Sequence, residues 1–306
     1  MAYWNQIVSD ELCDIGAVKL LKAYKSGEFS PVDVANAVLA RIRRLNDKYR
    51  AFCFLDPETT ILQAEESAKR WKNSTPKGLL DGIPVTIKDL ILTKKWPTLR
   101  GSLTTNQSQD WIEDAPCVAR LREHGAVFLG KTTTPEFGWK AVTDSPLTGV
   151  TYNPWNLDRT PGGSSGGAAV AALLGMGVMH IGTDGGGSVR IPASFSGVFG
   201  FKASSGRVPL YPPSPFGTLA HVGPITRTVE DAALMLRVIT EPDSRDSSSL
   251  AFEPRNYSVS ISAGISGLRI AYSPNLGYVS VDSDVNKKVF DAVKVFETLG
   301  AQVDQV

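Results

Sequence analysis

The 306-residue sequence predicts an α/β fold from three observations. Short apolar runs bounded by Gly and Pro read as strands, amphipathic segments alternate with them, and the length is sufficient for a large core. The strand candidates are IPVTIK (83–88), AVFLG (126–130), VMHIG (178–182) and LRIAYS (268–273). The interleaved helical segments are 116–124, 229–239 and 284–298. The N-terminal third is helical. Ser30 is placed as a cap and Pro31 at the first helical position of PVDVANAVLARIRRL, which puts Val34, Val38, Leu39 and Ile42 on one face. A second amphipathic stretch covers 59–71. Residues 240–263, rich in Ser, Pro and charge, read as a surface connection. At about 150 residues per domain the length would allow two domains, although α/β units often exceed that size.

Charge and cysteine usage exclude several classes of function. Lys plus Arg number 32 against 31 Asp plus Glu, a net charge of +1, and no basic block is present to track a phosphate backbone. A direct nucleic-acid partner is therefore not expected. Cys13, Cys53 and Cys117 are far apart, odd in number and lack C-x-x-C spacing, which fits a reducing compartment. The first residues carry no basic segment followed by an apolar one, so a cytoplasmic location is expected. The longest apolar run, 168–181, has 14 residues, too short for a bilayer that needs about 20. No spacing of His, Cys, Asp or Glu matches a metal site, and no cofactor is expected.

The chemistry concentrates between Pro161 and Pro192, where Ser164 and Ser188 each follow a run of glycines and lie 24 residues apart. Glycine beside a serine lets the backbone approach a reacting carbonyl and aim N–H groups at a developing oxyanion. Three other motifs compete with this reading. Residues 125–132 satisfy the phosphate-loop pattern G-x-x-x-x-G-K-[ST], but the AVFL between the glycines is itself the strand, and TTTPEF follows instead of a helix. Residues 162–166 satisfy G-x-S-x-G, with Asp184 and His221 following in α/β-hydrolase order. The preceding NPWNLDRTP, however, is turn-rich where that elbow needs a strand. Ser74 and Lys77 match S-x-x-K in a polar loop.

The remaining candidate base is Lys88. In strand geometry Pro84, Thr86 and Lys88 share one face while Val85, Ile87 and Asp89 share the other, which keeps the Asp89 carboxylate from the Lys88 ammonium. Burial without a paired carboxylate can lower a lysine pKa by several units, as a general base requires. A strand-end lysine reaching out to solvent is the other reading of the same pattern.

Lys88 within GIPVTIKD, the PGGSSGG run and TDGGGSVRIPASF together resemble the amidase signature family, whose elements occur in this order. GKTTTPEFGW, NPWN and VGPITRTVEDAALML are family-like as well. The resemblance implies a mixed β-sheet core covered by helices on both faces. It also implies an N-terminal helical part (1–75) and a catalytic core (76–240) within a single domain over 1–306, with the C-terminal part of the family domain missing. It assigns Ser188 as nucleophile, Ser164 as a bridging serine after a cis peptide bond, and Lys88 as base. Gly185, Gly186, Gly187 and Ser188 would supply oxyanion-hole N–H groups, and Phe137, Gly138 and Trp139 the acyl-side wall. Trp96, Tyr211 and Phe216 are further aromatic candidates for an apolar pocket. Asp184 and Arg190 read as a loop anchor, and Ser165 as a neighbour of the triad. The implied activity is hydrolysis of a small carboxamide or a linear or cyclic amide through an acyl-enzyme, with a homodimer as the expected assembly. The alternatives are the glutaminase component of a tRNA-dependent amidotransferase and an inactive truncated fragment.

Overall fold

The computed structural model describes residues 10–306. The chain divides into two compact units, one ending at Asn256 and one running from Tyr257 to Val306. The first contains α1 (Ala17–Ser26) and α2 (Pro31–Tyr49), preceded by helical residues 10–14. The start of α2 follows from its sequence: Ser30 Oγ accepts from Asp33 N, the Asp33 carboxylate accepts from Ser30 N, and Pro31 fills the first turn. Val34, Val38, Leu39 and Ile42 are all buried along its inner face.

After β1 (Phe52–Leu55), α3 (Pro57–Lys72), β2 (Pro84–Lys88), α4 (Pro116–Glu123) and β3 (Val127–Thr132) comes a short hairpin, β4 (Asp144–Ser145) and β5 (Gly149–Val150). The unit continues through α5 (Gly166–Leu173), β6 (Met179–Asp184), α6 (Arg190–Ser196), β7 (Phe199–Gly200), β8 (His221–Thr226) and α7 (Val229–Ile239). Six strands form one mixed sheet in the order β1-β3-β2-β6-β8-β7. Strands β3, β2 and β6 run parallel, β1 and β8 pair antiparallel with β3 and β6, and β7 pairs antiparallel with β8. Every residue of β2 and β3 is buried, so the centre of the sheet is covered on both faces. Helix α3 packs on β3, α7 on β8, and α5 on β6, β8 and β2. Gly167 permits the close seating of α5, because a Cβ there would come within 2.5 Å of Ala51 O and Thr133 N.

The expected strands and helices are present, while β1, β4, β5, β7, β8 and α6 go beyond them. Strand β8 carries Pro224 in its middle, which ordinarily argues against a strand. It is tolerated because β7 pairs only with Ile225 and Thr226. Residues 241–263 hold turns and no helix or strand. In the second unit, β9 (Arg269–Tyr272) and β10 (Gln302–Gln305) pair in parallel and are linked through α8 (Ser283–Thr298). Among the described residues no helix is long and apolar enough to cross a membrane.

Candidate active site

Lys88 ends β2 and is fully buried. Its Nζ lies 2.7 Å from Ser164 Oγ, 2.9 Å from Ser165 Oγ and 2.8 Å from Thr183 Oγ1. Three hydroxyls suit a neutral amine, which donates twice and accepts once. Burial pushes the Lys88 pKa well below that of an ordinary lysine, against the opposing charge of Asp184. Asp89 does lie on the other face, where its carboxylate accepts from Leu99 N and Gly101 N. The reading in which Lys88 reaches solvent is thereby ruled out.

Ser164 sits on a tightly built loop. The Gly163–Ser164 peptide bond is cis, and Gly162 has φ +80°. A Cβ on Gly163 would lie 2.5 Å from Val142 O, so the close approach of that segment requires glycine. Thr143 Oγ1 clamps both sides of the loop, donating to Gly162 O (2.8 Å) and accepting from Gly166 N (3.1 Å). Ser165 N donates to Ser188 O (3.1 Å), joining this loop to the second glycine-rich loop.

The second loop is organised by Asp184. Its carboxylate accepts from Gly187 N (2.7 Å) and Val189 N (3.1 Å) and forms a two-point ion pair with Arg190 at 3.0 and 2.9 Å. Burial alone would raise the Asp184 pKa, but Arg190 and these N–H groups hold it down to about 2. Because Gly187 N–H is committed to Asp184, Gly187 is, contrary to expectation, not a free oxyanion donor. Gly185, Gly186 and Ser188 are the loop's candidate donors. Ser188 Oγ makes no hydrogen bond among the described residues.

Both serines open onto a cavity of about 690 Å³, which Gly185, Gly186, Phe137, Gly138 and Trp139 also line. Gly138 stands close to the chemistry: a Cβ there would be 3.3 Å from Ser164 Oγ and 2.6 Å from Leu90 Cδ1. Tyr211 and Phe216 reach the cavity as expected. Trp96 does not. It is buried between Phe54 and Phe128 and donates its indole N–H to Asp56.

The competing motifs dissolve in three dimensions. In the phosphate-loop pattern Lys131 is a buried strand residue donating to Ile91 O (2.6 Å) and Thr98 Oγ1 (2.7 Å). Nδ1 of His221 faces the carbonyls of Leu219 and Asp184, and the Asp184 carboxylate is occupied by Arg190. The ammonium of Lys77 donates to Arg122 O. Among the described residues no three His, Cys, Asp or Glu side chains gather as a metal site. Thr183, Val142 and Thr143 are the site residues that sequence reasoning missed. For Thr183 a signal existed, since it is a hydroxyl at the end of a strand candidate beside a glycine-rich turn.

The model of the Amidase family matches residues 33–306. The chain belongs to the amidase signature family. One relative is an acylamidase from Rhodococcus erythropolis, 39% identical over 292 residues, covering 95% of this chain and 61% of the relative. Another is the A component of the glutamyl-tRNA(Gln) amidotransferase of Carboxydothermus hydrogenoformans, 37% identical over 299 residues, covering 97% and 61%. Among solved structures, a bacterial aryl acylamidase of the amidase signature family superposes with a TM-score of 0.89 at 31% identity, covering 95% of this chain and 61% of that one. The peptide amidase of Stenotrophomonas maltophilia gives 0.86 at 30% identity, covering 95% and 61%. This amidase signature chain thus spans about three fifths of the length of the relatives it matches.

Proposed function

We propose that this chain carries the catalytic machinery of an amidohydrolase that cleaves an amide C–N bond through an acyl-enzyme on Ser188. The observation that carries this reading is the buried Lys88, 2.7 Å from Ser164 and with hydroxyls instead of a carboxylate at its Nζ. Neutral Lys88 accepts the Ser164 proton as Ser164 accepts that of Ser188, and Ser188 Oγ attacks the carbonyl carbon. The resulting oxyanion is met by N–H groups of Gly185, Gly186 and Ser188. On collapse the C–N bond breaks, and the leaving nitrogen takes its proton back through Ser164. Water, deprotonated along the same relay, then releases the acid and restores Ser188. Overall, amide and water give carboxylic acid and amine, with no cofactor in the scheme. Cys53 and Cys117 form no disulfide among the described residues, in keeping with a reducing compartment, and we place the protein in the cytoplasm.

A second reading rests on the amidotransferase relatives, whose identity to this chain is close to that of the acylamidase. In it the same site would release ammonia from glutamine for a partner protein. Mapping the adduct of a fluorophosphonate probe by mass tests the shared chemistry: a single adduct on Ser188 is expected, and an adduct elsewhere in its place would overturn the assignment. Hydrolysis of glutamine, but not of simple amides, would select the second reading.

A further inference from the structure

The cavity at Ser188 contains a feature that amide hydrolysis alone does not require. Trp139 and Phe216, from segments far apart in sequence, stack with ring centroids 5.4 Å apart and planes inclined by 17°. Both line the cavity, and Trp139 is 75% exposed. A large indole left open to solvent forfeits the burial that normally holds such a ring, so its free surface is available to a ligand.

The stack also sits at the reacting centre. A Cβ on Gly185, in the candidate oxyanion loop, would lie 3.7 Å from Phe216 Cγ, so that ring is in van der Waals reach of the loop. At the other end Gly138, the residue before Trp139, comes within similar reach of Ser164 Oγ. The stack thus adjoins the candidate oxyanion loop through Phe216, and Trp139 directly follows the glycine beside Ser164.

The charges of the cavity narrow the ligand further. Asp184 is the only carboxylate among the described lining residues, and it is engaged by Arg190, Gly187 and Val189. The lining cations are Arg100 and Lys140, the latter paired with Asp144. A substrate ammonium, such as that of an α-amino acid amide, would find no free counter-ion there and two positive neighbours.

We propose that the Trp139–Phe216 stack is a specificity platform for amides that carry a planar aromatic ring and no ammonium group. The identity of the cleaved bond rests on the Ser188 chemistry proposed above, but binding to the platform does not, so the two can fail separately. The test uses the Ser188→Ala chain, which cannot form an acyl-enzyme, with benzamide, acetanilide, propionamide and L-glutamine as probes in ligand-observed NMR. At least one aryl amide should bind more tightly than propionamide and L-glutamine. Adding Trp139→Ala should weaken that binding about tenfold, and Trp139→Phe should keep it within about threefold. Preference for benzamide puts the ring on the acyl side, and preference for acetanilide puts it on the amine side; either supports the platform. Aryl-amide binding unchanged by Trp139→Ala, or L-glutamine bound more tightly than both aryl amides, would overturn it.

Discussion

Two buried lysines on neighbouring strands, Lys88 on β2 and Lys131 on β3, show how partners decide what a side chain does. The parallel register pairs Ile87 with Lys131 and Lys88 with Thr132, so the two lysines project to opposite faces of the sheet. Both are fully buried. Lys88 meets three hydroxyls, and burial drives its pKa well below the ordinary lysine value. Lys131 is lowered by burial only to about 8, because Asp89 lies 3.9 Å away and favours the charged form. It also holds the Ile91 carbonyl and so remains a cation at neutral pH. Equal burial thus yields an amine biased towards its neutral form on one face and a structural cation on the other. A shift of one residue in the register of either strand would carry its lysine to the opposite face.

The contrast shows most strongly when each lysine is removed in turn. Lys88→Met should slow acylation of Ser188 about a thousandfold while leaving the folded protein intact, as read from labelling rate and circular dichroism. Equal labelling of wild type and variant would end the distinction. Acid stability offers the next largest effect, from a third buried base. Burial lowers His180 from 6.5 to about 3, with Thr86 Oγ1 2.8 Å from its Nδ1. The folded imidazole stays neutral while the unfolded one takes up a proton below pH 6.5, so stability falls as pH drops from about 6.5 towards 3. The loss is on the order of 4 kcal/mol. Denaturant midpoints across this range should show that slope in wild type and a flatter one in His180→Gln.

Lys131→Met leaves the Asp89 carboxylate buried without its cation. A cost of roughly 3–5 kcal/mol in unfolding free energy is expected, visible as a lower Tm, with Ser188 labelling of the folded fraction kept within about tenfold. A Lys131 variant that stays stable but cannot be labelled would move Lys131 into the chemistry. Smallest is Gly138→Ala. It adds a Cβ at φ +71° beside Leu90 and Ser164, for an expected loss of about 1–2 kcal/mol in stability and a several-fold slower labelling rate.

What could be read in advance depended on whether the signal was local. The period of a strand separates Lys88 from Asp89, and the glycines around Ser164 and Ser188 mark loops built for close approach; both were legible from adjacent residues. Thr143 and Val142 clamp the Ser164 loop from a segment some twenty residues away, and no local pattern announces such a contact. Gly187 is similar to its neighbours in sequence, yet its N–H is claimed by Asp184 three residues earlier. Trp96 and Phe216 are both aromatic residues in turn-rich surroundings, but only tertiary packing sends one into the core and the other to the cavity. Strand β8 is masked in the sequence by Pro224, which is accommodated here because β7 pairs only with Ile225 and Thr226.

Everything proposed for the site depends on a neutral Lys88 that acts through Ser164 to activate Ser188. The decisive measurement is the pH dependence of fluorophosphonate labelling, with the adduct located by mass, in wild type, Ser188→Ala and Lys88→Met. A Ser188 adduct that Ser188→Ala abolishes is expected. The wild-type rate should rise through an inflection well below the ordinary lysine value of about 10.4 and lose that inflection in Lys88→Met. A full adduct on Ser188→Ala, or a wild-type rate that climbs only above about pH 10, would contradict this mechanism.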